Sequence, residues 1–175
     1  MTAAESGFRR FALAVYHTEG VSRASLLLQD RCDIDVNVLL LAAYVGAAHG
    51  GSLSSGDVAA AHRRVSQWQT DVVGPLRALR KRLKDGPPPA PSPTTAVLRD
   101  RVKALELDAE MLELDELATF ADDLNTPAAP GSGSERASAA MDVVLHVSAG
   151  REPSGEERGA IAVIANAAAR YGDQT

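Results

Sequence analysis

The segment Leu26–Gly46, LLLQDRCDIDVNVLLLAAYVG, sets a dense polar cluster directly against an apolar run too uniform to lie on a protein surface. A helix formed by Val38–Val45 is hydrophobic all round, and such a helix has to sit at the centre of a fold. Leu and Ala outnumber β-branched residues and the run exceeds a typical strand in length, which selects helix over buried strand. The spacing predicts a central helix over about 35–48. It opens at Asp35, whose carboxylate can accept from the free backbone N–H groups of the first turn. Gln29, Asp30, Asp33, Asp35 and Asn37 then stand at the mouth of the core.

The remaining helices follow from periodicity and capping. Phe8, Phe11, Ala12 and Val15 recur at helical spacing behind a Thr2/Glu5 capping pair, and a short helix covers about 21–31. Ser54 and Asp57 cap a segment whose seam runs Val58, Ala61, Val65, Trp68, Val72, Leu76, Leu79, Leu83, placing Trp68 as a core anchor. The irregular step falls at Gly74-Pro75, where proline removes a donor and crowds the preceding turn, so a kink or break is expected. A Pro-rich linker covers 85–93 and a Gly/Ser/Pro linker 126–134. Between them, about 94–124 reads as one long helix with two seams, Leu98-Val102-Leu105-Ala109-Leu112 and Leu107-Met111-Leu114-Ala118-Ala121. The shift from Leu105 to Leu107 turns the stripe by about 200°. Such a two-faced helix either bridges elements of one subunit or meets another chain with its distal half. A C-terminal helical pair spans 135–172, its last member capped by Ser154/Glu157 and stopped by Gly172. With only 4% aromatic residues, the expectation is an all-α, compact bundle of about six to seven helices in a single domain, 1–175.

Charge and cysteine content narrow the function classes. A net charge of -5 gives no global pull toward nucleic acid or anionic membrane. Cys32 is the only cysteine, so no internal disulfide can form, which fits a reducing, cytoplasmic compartment. Arg9-Arg10 precede only six apolar residues, fewer than the roughly seven a signal core requires. The run 36–48 is interrupted by Asn37 and is shorter than the roughly 17 to 25 residues that span a bilayer, so no membrane segment is expected.

A local basic patch does exist. From Arg63 to Lys84 seven basic residues face one aspartate, and Arg77, Arg80, Lys81 and Lys84 form one stripe set away from the leucine seam. Such a stripe can track phosphates. From Arg99 to Asp123, however, three basic residues meet nine acidic ones. Two helices of opposite charge joined by a short proline linker most simply lie antiparallel, which neutralises part of the stripe inside the fold or between subunits.

No catalytic signature stands out. Clustered aspartates can hold Mg²⁺ and through it a diphosphate, but Asp30, Asp33 and Asp35 lack a second aspartate-rich motif to answer them. Capping and turn roles explain the cluster more simply. His17, His49, His62 and His146 share no metal spacing, and no cofactor is implied.

Three elements carry a resemblance: F-x-x-x-x-Y over Phe11–Tyr16, G-V-x-x-x-x-L-x-L-Q-D-x-x-x-x-D-V-N-x-L-L over Gly20–Leu40, and W-x-x-x-V-V-x-P-L-R-x-x-R-x-x-L-K over Trp68–Lys84. Together with E-L-x-x-E at Glu106, Leu107 and Glu110, they resemble a family of small bacterial proteins described as a conserved domain of unknown function. The likeness covers about residues 8–120. It implies a cytoplasmic helical protein and transfers no catalytic residue. The expectation is therefore a non-enzymatic adaptor that binds another protein, with self-association through the long helix as one form of it. Two alternatives accompany it: a metal- or phosphate-dependent enzyme built on Asp30, Asp33 and Asp35, and a nucleic-acid accessory protein built on the basic stripe.

Overall fold

Asp35 caps the central helix. Its Oδ1 accepts from the backbone N–H of Asn37 at 2.8 Å and of Val38 at 3.4 Å, and α3 (Val36–Ala47) starts there. The structure, a computed structural model, describes residues 7–172; the Thr2/Glu5 capping pair lies outside the described residues. Before α3 come α1 (Gly7–Tyr16) and α2 (Val21–Cys32). After it come α4 (Ser55–Trp68), a π-helical turn (Gln69–Val73), α5 (Gly74–Asp85), α6 (Pro93–Asp123), α7 (Gly133–Ala149) and α8 (Gly155–Gly172). Because α4, the π turn and α5 are continuous, the described residues form seven helical rods, an all-α multi-helix bundle. Their one extended pairing is an isolated bridge between Gly51 and Ala128.

The α3 rod touches α1, α2, α4, α6, α7 and α8, and Val38–Ala43 are all buried. Its closest neighbour is α7. A Cβ added to Gly46 would lie 2.5 Å from the Ala137 backbone nitrogen, so only glycine lets the two backbones approach this far. The Arg136 Nε–H then donates to the Gly46 carbonyl at 2.9 Å. Local chemistry starts the other helices. Ser54/Asp57, Ser92/Thr95 and Ser132/Glu135 each form a reciprocal capping box, satisfying first-turn donors that would otherwise be orphaned.

The irregularity at Gly74-Pro75 is resolved by the π turn. Pro75 has no N–H to give, and the turn before it widens so that the Gly74 N–H reaches back to the Gln69 carbonyl. The absence of a side chain at Gly74 matters here, because a Cβ would stand 3.0 Å from that same oxygen.

Beyond this point the predicted seam leaves the core. Val58, Ala61, Val65 and Val73 are buried, but α5 buries no residue and Leu79 is 47% exposed. Trp68 is not the core anchor its place on the seam suggested: it is 38% exposed and donates its indole N–H to the Ala109 carbonyl at 3.0 Å. The reason is tertiary. Apart from the adjoining π turn, α5 packs only on α6, and the two form an antiparallel arm standing off the bundle. The long helix therefore bridges elements of one subunit with its C-terminal half, where Leu114, Leu117, Ala118 and Ala121 are buried, while its N-terminal half belongs to the arm.

Candidate functional site

The buried residues of α6 include Val102 and Ala109 of the first apolar seam read from sequence and Leu114, Ala118 and Ala121 of the second, and a further stripe passes between the two. It runs Val102, Glu106, Ala109, Glu113, Leu117, with two glutamates at positions normally given to leucine. Each has a different answer to burial. Glu106 is clamped by two arginines of α5: Arg77 Nε donates to it at 3.2 Å, Arg80 Nη2 at 3.1 Å, and Arg80 Nε closes the second oxygen. Arg77 Nη2 also donates to Glu110 at 2.7 Å. Burial pushes the Glu106 carboxyl up, but the two guanidiniums outweigh it and hold the group below its ordinary range. Arg77 and Arg80 are thereby engaged inside the arm, while Lys81 and Lys84 point into solvent.

Glu113 has no cation. It is 1% exposed, its Oε1 accepts from Asn37 Nδ2 at 2.9 Å, and its Oε2 has no partner within hydrogen-bonding distance. Burial, and then the charge of nearby Asp35, push its pKa up to about 8. The carboxyl is therefore neutral at pH 7, next to the Asp35 side chain. Asp35 thus does two things at once: it caps α3 and provides the anionic side of a carboxyl pair. Tyr16 borders the same region, its hydroxyl raised by burial and by the charge of Glu110. The tyrosine of F-x-x-x-x-Y, the D-V-N aspartate and asparagine, the arginines of P-L-R-x-x-R and the glutamates of E-L-x-x-E all lie along this line of contacts.

The polar cluster read from sequence is thus divided. Asp35 and Asn37 turn toward Glu113, whereas Asp30 and Asp33 are exposed and Gln29 is half-buried on α2. Asp33 ends α2 in a left-handed conformation, φ 51°, its N–H returned to the Gln29 carbonyl. Among the described residues no group of three or more His, Cys, Asp or Glu is placed to hold a metal ion. At this same C-terminal end of α2, Cys32 meets a third buried carboxylate, Glu157. Arg151 donates to both oxygens of Glu157, at 2.8 and 2.7 Å, and stands 3.9 Å from the Cys32 sulfur. Arg151, helped by the Ser154 backbone, holds the Glu157 carboxyl far below its usual range, and burial pushes the Cys32 thiol up. A thiol raised in this way is a poor nucleophile.

Sequence reasoning missed Glu113 and Arg151; Glu157, read as the capping partner of Ser154, does exchange bonds with it and in addition takes Arg151. A signal for the first was present: Glu106 and Glu113 stand in a step pattern of four and three with Val102, Ala109 and Leu117.

One further surface distinguishes the arm. Leu98, Leu105 and Leu112 lie seven residues apart along α6 and are 49%, 56% and 58% exposed. An exposed leucine alone is ordinary; three in line on one helix form an exposed apolar stripe.

No helix among the described residues is long and apolar enough to cross a membrane. No curated protein and no solved structure matches the chain. A family model described as "Protein of unknown function (DUF2390)" matches residues 8–117, from α1 through the arm and into the part of α6 that carries Glu113. That span is more than half of the chain, which therefore belongs to the DUF2390 family.

Proposed function

We propose that this protein is a non-enzymatic interaction module that receives a protein partner on the α5–α6 arm. The observation that carries this reading is the stripe Leu98, Leu105, Leu112, three half-exposed leucines at a seven-residue spacing on one helix. The arginine–glutamate clamp supports it. Arg77 and Arg80 against Glu106 and Glu110 fix α5 on α6, so the stripe is offered on a rigid two-helix surface, which lowers the ordering cost of binding. The polar groups favour architecture over catalysis: Glu106 and Glu157 are held by arginines, Glu113 by Asn37, and Asp30 and Asp33 stand apart from them. Of the basic stripe, phosphate binding retains Lys81 and Lys84, because Arg77 and Arg80 are occupied.

The test is affinity purification from the native host with the wild-type chain and with Leu98→Ser/Leu105→Ser as paired baits. A partner retained by the first and lost by the second, with both baits equally helical by circular dichroism, supports the arm as the docking site. An unchanged set of co-purifying proteins removes it.

A further inference from the structure

The charge pattern of α6 specifies what would cover its leucine stripe. Its first third carries Arg99, Arg101 and Lys103 against a single Asp100, while from Ala104 to Asp123 there are eight acidic residues and no basic one. Two copies of this helix laid parallel would stack like charge on like. Laid antiparallel, each copy sets its basic third against the other's exposed Asp108, since Glu106, Glu110, Glu113, Asp115 and Glu116 are engaged within their own protomer, and the opposed helix dipoles also attract.

The spacing of the leucines closes the same arrangement. A two-fold axis through Leu105 brings Leu105 against the partner's Leu105 and Leu98 against the partner's Leu112, so every member of the stripe is covered by a member of the stripe. Arg101 and Asp108 are both exposed and sit on one flank of the stripe, about 20° apart around the helix. The same axis sets Arg101 within one residue of the partner's Asp108, twice in the dimer. A self-complementary surface of this kind is what an isologous interface requires.

From this we infer that the occupant of the arm is a second copy of the chain, docked antiparallel about Leu105 so that the two arms form a four-helix unit. The inference rests on the reading of the arm as a docking surface and adds the partner's identity and orientation.

Sedimentation velocity across a concentration series tests it. The wild-type chain is expected to sediment as a dimer. Leu105→Asn, which meets its own copy on the axis, is expected to weaken dimerisation by about a hundredfold or more without changing helicity, because Leu105 is exposed within each protomer. Arg101→Glu alone should weaken the dimer by about tenfold, and Arg101→Glu/Asp108→Arg should restore it. Mixing Leu98→Cys with Leu112→Cys chains should give the mixed disulfide in preference to either symmetric one. A chain monomeric at hundreds of micromolar, a dimer indifferent to Leu105→Asn, or a preference for the symmetric Leu98→Cys disulfide would each overturn the inference. A monomeric chain that still loses a different protein on Leu98→Ser/Leu105→Ser leaves the docking reading standing and refutes only self-association.

Discussion

Asn37, in the first turn of α3, donates its side-chain amide to Glu113 of α6 at 2.9 Å, across a sequence separation of 76 residues. That bond ties the central helix to the one that carries the arm, and its acceptor is a carboxyl kept neutral by burial and by Asp35.

The neutral carboxyl gives the fold a pH dependence of known sign. Glu113 titrates near 8 when folded and near ~4.3 when unfolded, so its stabilisation is complete below the unfolded value and is lost as pH rises toward 8. Glu113→Gln keeps an acceptor for Asn37 and stays neutral at every pH, with no proton to lose. Urea midpoints should show the variant near wild type at pH 5 and more stable at pH 8.5, by on the order of a few kcal/mol. An identical difference at both pH values would refute the assignment.

Asp35→Ala removes the α3 cap and also the charge that repels a Glu113 carboxylate. Loss of the cap costs about 0.5–2 kcal/mol, whereas relief of repulsion acts only above the pH at which Glu113 ionises. The variant is expected to be destabilised at pH 6 by that amount and by less at pH 9. Chemical denaturation at the two values measures it, and an equal loss at both would show that the carboxyls do not interact.

Gly46→Ala sets helix propensity against packing. Alanine gains about 1 kcal/mol in a helix interior, but its Cβ would stand 2.5–2.6 Å from backbone atoms of Arg136 and Ala137, which cannot rotate away. Overpacking of this kind costs about 1–3 kcal/mol and forces α3 and α7 apart, so a net fall in the thermal midpoint is expected. A midpoint equal to wild type would mean that the α3–α7 contact is looser than described.

Arg151→Met leaves Glu157 buried without its cation. The folded carboxyl titrates below its unfolded value, so its contribution is present at neutral pH and is lost as pH falls below about 4. Because Arg151 is about half exposed, solvent weakens the pair, and a loss of stability at pH 7 smaller than that of a fully buried break is expected. The acid limb of the stability curve should flatten in the variant. An unchanged acid limb would place that dependence elsewhere.

Much of this architecture is written locally. The all-round apolar run marks α3 as central, Asp35 marks its start, Ser54 and Ser154 mark two others, and Gly74-Pro75 marks a discontinuity. These signals lie within four or five residues of the backbone groups they satisfy, so the chain states them without knowing its fold. The seam of the kinked rod misleads, because period alone shows that residues share a face and not that anything covers it. Its first half packs in the core, and its second half rides on the arm with Leu79 exposed.

What the sequence determines on its own is therefore the set of helices, their caps and the identity of the central rod, because capping bonds and hydrophobic period act over one or two turns. The tertiary structure alone decides that α5 leaves the core, that Glu106 finds two arginines while Glu113 finds an amide and a second acid, and that Leu98, Leu105 and Leu112 remain uncovered. Those outcomes depend on which distant segments meet. The charge state of a buried carboxyl and the covering of an apolar face are set by neighbours in space, not by neighbours in the chain.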